Sequence, residues 1–431
     1  MGKFLKVLFC FIIVDFYFFS TKMYFTHGFN TKELMAVVGI FLFVSDLSRR
    51  RKMAISNEFL NLLLYSGIIS LLAIFSAVFH NTQERAYTTY FMSMLVWLSA
   101  SYVVARCLKA AHGKISVELL ASYIVVVSVV QGLIAVIADN YAPLDNFVLT
   151  LVPGLRWAKM INRLYGLGDT ASLDTGGIRF AIASLLCAHN IKAMANKEKF
   201  KYVPFYVLAF LIIAFTGNMV ARTTLVGVVI GLAYLLFYIN PFKTSLNSSI
   251  MKTWLWIIME TLAVVVILTG IYNTDNKFRE RTRFAFEGFF SMAEEGHWRT
   301  GSNDKLATMI VFPDNAETWL IGDGYFVNPD ADPYYLGEST EGYYMNTDVG
   351  YLRFIFFFGL IGLSVFCMYI IYSGRVCIRM HPGHTLFFIA LTSINFVIWM
   401  KVATDCFFIL CLFISLGYVI NGEDTTEVIE E

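Results

Sequence analysis

Apolar stretches long enough to cross a bilayer recur along nearly the whole chain, and that pattern leaves few folds open. A span needs about 20 mostly apolar residues, and about twelve stretches qualify: residues 4–20, 30–47, 59–79, 87–105, 116–138, 177–195, 202–216, 219–239, 253–272, 348–372, 385–400 and 402–420. With 57% hydrophobic residues, 40 phenylalanines and only 15% charged residues in 431, a soluble globule would expose far too much apolar surface. The runs are rich in Leu, Ile and Phe and lack the weak alternation of a barrel. The expected fold class is therefore all-α, a polytopic membrane helix bundle forming a single transmembrane domain over residues 1–431.

Lysine and arginine accumulate in cytoplasmic loops, so the short loops set the orientation. With the N-terminus inside, the inner loops hold Lys3, Lys6, the run Arg49 to Lys52, Arg106, Lys109, Lys114, Lys192, Lys197, Lys199, Lys201, Lys243, Lys252, Arg375 and Arg379. The short outer loops hold Lys22, Lys32, Arg85, Arg222 and Lys401. The excess predicts an even number of helices with both termini cytoplasmic. The net charge of +1 averages over two compartments and adds nothing. Lys3 and Lys6 followed by the run Val7 to Phe19 resemble a signal peptide, but no small-residue cleavage site follows, so a retained first helix is expected. The seven cysteines fall in or beside the spans, with neither a disulfide framework nor a metal-ligand spacing. No cofactor and no nucleic-acid partner are expected.

Two outer segments, 139–176 and 273–347, exceed a connector, and functional residues gather on loops held by a rigid scaffold. In the first, LVPGLRWAKMINRLYGLGD spaces Arg156, Lys159 and Arg163 along one face if helical. In the second, KFRERTRFAFEGFFSMAEEG reads as an amphipathic helix lying at headgroup level, with Arg279 and Arg283 one turn apart. The stretch TDVGYLRFIFFFGLIGL then leads from this loop into the next span, with Asp348, Tyr351 and an arginine at its mouth.

Four landmarks in order resemble the O-antigen polymerase and O-antigen ligase group of bacterial envelope proteins: Arg222 opening a span in GNMVARTTLVG, Arg299 in RTGSNDKL, Gly322 and Gly324 in WLIGDGYF, and Asp348 in TDVGYLRF. NRLYGLGD, with Arg163, looks like that group's arginine-glycine motif. Asn346, Thr347 and Asp348 stand where ligases place a histidine and asparagine, so the chain looks more like a polymerase; the outer histidines are His27, His80 and His297. The resemblance implies a glycosyltransferase-C-like bundle in the bacterial inner membrane. There it would join undecaprenyl-pyrophosphate-linked oligosaccharides at the periplasmic face, working among membrane lipids with a flippase and a chain-length regulator as partners.

Such a reaction expels a lipid pyrophosphate. Arginine suits this group because its planar fork pairs with phosphate oxygens and stays ionised. With no DxD-like cluster for a metal, arginines would take the developing charge, and a carboxylate or histidine would remove the acceptor's proton. The expected site is therefore Asp348, His297 and Arg222 for chemistry, with Arg163, Arg179, Arg222, Arg283, Arg299 and Tyr351 for substrate and pyrophosphate contacts.

Plainer readings exist for each. Arg222 at a membrane boundary fits snorkelling; Arg163 and Arg299 fit loop salt bridges; Arg279, Arg281 and Arg283 fit interfacial anchors. Asp348 fits a helix cap, and His297 beside Trp298 fits a surface pair. Asp15 and His189, inside spans, fit a proton or ion path, while Lys401 and Asp405 fit a mutual pair. The competing class is a lipid-linked-sugar transporter or flippase, but internal repeats and midplane Gly/Pro breaks are not evident. An O-antigen ligase is the nearer alternative.

Overall fold

In the computed structural model the described residues are 2–24, 28–49, 56–161, 163–239, 248–329 and 342–427. His27, Arg50, Arg51, Lys52, Lys243, Tyr334 and Tyr335 lie outside them. The described chain is all-α, with eighteen helices and no sheet. The first apolar runs are α1 (Lys3–Phe18), α2 (Thr31–Arg49), α3 (Asn57–Phe79), α4 (Tyr90–His112) and α5 (Val117–Asn140). Short α6 (Ala142–Leu151) and α7 (Arg156–Met160) lead into α8 (Leu173–Asn196), α9 (Val203–Val220), α10 (Thr224–Ile239) and α11 (Ser248–Thr274). The second long segment carries α12 (Asn276–Ala285), α13 (Glu287–Glu295), α14 (Gly301–Thr308) and α15 (Ala316–Ile321). The chain then returns through α16 (Gly350–Met380), α17 (Thr385–Ile398) and α18 (Phe407–Glu427).

Every apolar run anticipated from the sequence lies on a helix. Six of them, namely α3, α4, α5, α9 with its preceding turn, α11 and α16, are long and apolar enough to cross a membrane, which suggests a multi-pass membrane protein. All seven cysteines are free.

The bundle closes around α8. From Gly176 to Ile191 every residue of this helix is buried, and its small residues let neighbours come near. Gly227 of α10, for example, leaves no room for a Cβ, which would stand 1.9 Å from the Ala181 carbonyl oxygen. Arg179, also on α8, is buried at 6% exposure. It donates to the carbonyls of Phe18 and Thr175 and lies over the Phe408 ring, so it ties α1 and α18 to the central helix.

Two stretches of irregular backbone are buried in protein, and neighbouring side chains and backbone amides supply their hydrogen bonds, as an apolar surround requires. Residues 163–172 enter the bundle as a loop. Gln131 of α5 accepts from Leu167 N–H at 2.6 Å and donates to Asp15 at 2.7 Å, while Thr170 donates to the Ser20 carbonyl. Asp15, read from sequence as a possible ion-path residue, thus braces this loop. The expected helical face of Arg156, Lys159 and Arg163 is not formed: α7 stops at Met160, Lys159 pairs with Asp145, and Arg163 stands at the loop's mouth.

The second irregularity is a break in α16. Phe358 (φ −137°) and Gly359 (φ 67°) leave helical geometry. The carbonyls freed there are claimed from outside: Phe356 O by Asp323 N–H at 2.6 Å, and Phe357 O by Gly324 N–H at 3.2 Å and the Ser76 hydroxyl at 2.6 Å. The WLIGDGYF segment docks on this break, and a Cβ on Gly359 would stand 2.1 Å from the Leu320 carbonyl oxygen. Gly359 needs both its left-handed φ and the missing side chain.

Gly359→Val is therefore expected to destabilise the protein by about 2–4 kcal/mol, read as a lower melting temperature of the detergent-solubilised protein. Gly67→Ala in α3, where nothing lies within 4 Å, should melt at or above wild type. Equal melting of the two variants would refute the docking account.

Candidate active site

The two long segments, the α9–α10 turn and the start of α16 meet at one end of the bundle. The turn is short: α9 ends at Val220, α10 begins at Thr224, and Arg222 stands between them. Its guanidinium is held from three sides, donating to Phe284 O at 3.1 Å and Ser302 Oγ at 3.1 Å and pairing with Glu287 Oε2 at 2.5 Å. Arg222 and Arg163 each lie 4.5 Å from the Phe284 ring. An aromatic spacer thus holds two cations together without a carboxylate between them. Burial lowers the Arg163 pKa from its usual value, and Asp174 and Arg222 also act on it.

Phe284 reaches this place because the amphipathic stretch is not one helix. It breaks at Phe286 into α12 and α13, and Phe278 and Phe286 stack on Phe215 of α9 at 5.6 Å each. Lys277 and Arg281 pair with Asp139 at 3.1 Å each, and Arg279 donates to the Tyr272 and Asn273 carbonyls. These three are fastenings of the helix.

Two cavities meet at Arg222 and Ser302. One, of about 730 Å³, is lined by Arg163, Arg222, Arg283, Arg299 and Lys305 together with Glu287, Glu294 and Asp304. The other, of about 460 Å³, is mainly apolar, with Leu225, Val226, Val229, Ile230, Phe286, Phe289, Val397 and Ile398 in its wall. In the first, carboxylates occupy the arginines: Arg283 grips Glu294 with two bonds of 2.8 and 2.7 Å, and Arg299 meets Asp304 at 2.8 Å. The Arg283 contact holds Glu294 below the ordinary carboxylate range.

Asp348 lies immediately before α16. It does not cap the helix; Val349 is the cap residue and makes no side-chain bond. Its Oδ1 is buried without a hydrogen bond among the described residues and sits 3.7 Å from Arg353. Burial pushes its pKa up to about 7, with Arg353 pulling it down and Asp174 pushing it up. Arg353 in turn stacks over Phe326 at 3.9 Å and Tyr343 at 4.6 Å. Asp174 acts on both Asp348 and Arg163 and lies 3.8 Å from Lys401, which lines the apolar cavity. The Lys401–Asp174 pair thus stands at the edge of the cavity shared with Arg222, while Asp348 lines neither cavity.

Of the residues expected from sequence, Arg163, Arg222, Arg283 and Arg299 converge on one cavity, and Asp348 stands outside its wall, beside Arg353. The other three stand apart. Arg179 is the buried tie of α8 described above. Tyr351 donates to Phe396 O at 2.9 Å and packs on Trp399, linking α16 to α17. His297 is exposed beside Glu295 at 3.3 Å and belongs to neither cavity wall. Lys401 and Asp405 do not pair with each other, since Lys401 faces Asp174 while Asp405 accepts from Phe407 N–H at the start of α18. Sequence reasoning missed Glu287, Asp174, Phe284 and Arg353's aromatic seat. Only Arg353 carried a signal, as a charge one turn inside an apolar run.

The chain matches no protein-family model, no curated protein and no solved structure.

Glu287 occupies the Arg222 guanidinium that an anionic ligand would use. Glu287→Gln keeps the bond from Gly301 N–H but removes the competing charge. It should bind inorganic pyrophosphate about fivefold more tightly in calorimetry, corresponding to about 1 kcal/mol. Unchanged or weaker binding would show that the arginine cluster does not take phosphate.

Proposed function

We propose that this protein polymerises lipid-linked oligosaccharide repeat units at the outer, periplasmic face of a bacterial inner membrane, as a bundle of about twelve spans with both termini cytoplasmic. The observation that carries this reading is the pair of cavities joined at Arg222, one rich in arginine and one apolar. An anionic amphiphile with a pyrophosphate head and an isoprenoid tail needs that combination: guanidinium forks for the phosphate oxygens and an apolar wall for the first tail carbons.

In this reading the acceptor sugar's hydroxyl oxygen bonds to the anomeric carbon of the donor while its proton passes to Asp348. The bond from that carbon to the pyrophosphate oxygen breaks, and the lipid pyrophosphate leaves with its charge taken up by Arg222 and Arg163. Arginines seated in a partly dehydrated cavity act more strongly on that charge than they would in water. A carboxyl with a pKa near 7 suits a general base at neutral pH, being substantially ionised yet still basic enough to accept a proton. Arg353, 3.7 Å away, keeps it from rising further. Displacement of Glu287, Glu294 and Asp304 by the incoming pyrophosphate would give binding its selectivity for a doubly charged head.

Purified protein reconstituted with undecaprenyl-pyrophosphate-linked repeat units should yield a glycan ladder. Arg222→Ala should abolish it, and Asp348→Asn should slow it by about 10²-fold or more. Because the active form of Asp348 is the carboxylate, the wild-type rate should rise with pH through about 7 and level off above it. A pH-independent rate would remove Asp348 from the chemistry. Single additions to a lipid A core acceptor would make the protein a ligase, and no covalent product from folded protein would favour transport.

A further inference from the structure

A third cavity, of about 270 Å³, opens at the same end of the bundle between α2, α4 and α18. It lies across the 399–406 loop from the arginine-lined pair: Lys401 on that loop faces the apolar cavity, whereas Asp405 lines this one. Its polar groups are incompletely used. The Lys32 ammonium rests on the Trp97 ring at 4.4 Å, and among the described residues no ion pair joins it to a carboxylate. The Tyr90 hydroxyl is buried near Asp405 but makes no hydrogen bond of good geometry. Asp405 spends one oxygen on Phe407 N–H at 3.0 Å, and the Ser93 hydroxyl borders the opening.

We propose that this cavity binds one pyranose ring of a glycan. The Tyr90 hydroxyl is a buried polar atom without a partner, which is rare and calls for an occupant that supplies one. An ammonium donor, a carboxylate acceptor and a hydroxyl that can do either match the vicinal hydroxyls of a sugar, and an indole face matches its C–H side. A simple anion fits less well because Asp405 lines the cavity together with its one lysine, Lys32, and an acyl chain fits less well because it would strand Lys32 and Tyr90. The volume is below that of a drug-sized site and suits a single ring. Lysine, a flexible point charge, can leave the indole when a sugar takes its place.

The cavity also touches the proposed chemistry. Tyr87, one of its lining residues, packs edge-on against Phe326 at 5.5 Å, the ring on which Arg353 is seated. Assigning the sugar to the acceptor substrate rests on the proposed function; binding of a sugar here does not.

The test is saturation-transfer NMR on the full-length protein in lipid nanodiscs, which avoids sugar-headed detergents, with methyl galactoside, N-acetylglucosamine and glucuronic acid as probes. At least one should receive saturation. Trp97→Ala should reduce the transfer at least fivefold, and Arg222→Ala should leave it unchanged. If Trp97→Ala does not fold, Ser93→Trp, which blocks the opening, should give the same loss. No transfer to any probe, or transfer lost in Arg222→Ala but kept when this cavity is altered, would overturn the proposal. Loss of the polymer ladder with sugar binding intact would instead count only against the polymerase reading.

Discussion

The exchange of hydrogen bonds at the break in α16 holds this end of the molecule together. A helix of phenylalanines gives up its own ladder at Phe358 and Gly359, and the carbonyls of Phe356 and Phe357 are taken by Asp323, Gly324 and Ser76. In an apolar surround an unmade backbone bond costs several kcal/mol, so the docking segment cannot drift. That fixes the segment after Gly324, which Glu84 grips further by accepting from Phe326 N–H at 3.2 Å and Val327 N–H at 3.0 Å. Phe326 then seats Arg353, and Arg353 stands beside Asp348. The position of the buried carboxylate thus follows from a glycine more than one helical turn away.

The arginines follow a different logic. Arg222 and Arg163 both lie against the Phe284 ring, which brings two like charges together at a cost that burial increases. Glu287 offsets that cost, as Glu294 and Asp304 do for Arg283 and Arg299. Each carboxylate sits within reach of solvent, so exchanging it for a phosphate oxygen does not strand a buried charge. A cluster of arginines without these internal carboxylates would repel itself.

The helices could be read from the sequence because apolar runs of bilayer length have few other fates. Arg222 was legible for a related reason, a single cation wedged between two such runs. The break in α16 was not, since FIFFFGLIGL reads as one uninterrupted span and the bonds that permit the break come from residues 76, 323 and 324. The re-entry of residues 163–172 was hidden in the same way: Gln131 and Asp15 sit in separate spans, and only the fold brings them to Leu167. Glu287 and Asp174 looked like ordinary loop acids because their partners, Arg222 and Lys401, are distant in sequence. Arg179 misled in the opposite sense, since its place near an outer helix end suggested ligand contact while its bonds go to the backbone of α1 and α8.

We propose that Arg222 receives a lipid pyrophosphate at the junction of the two cavities. Native mass spectrometry of the protein with undecaprenyl pyrophosphate, undecaprenyl phosphate and dioleoyl phosphatidylglycerol would test it most directly. Wild type should retain the pyrophosphate over both competitors, and Arg222→Ala should lose that preference. Equal retention of all three lipids by wild type, or an unaltered preference in the variant, would contradict it.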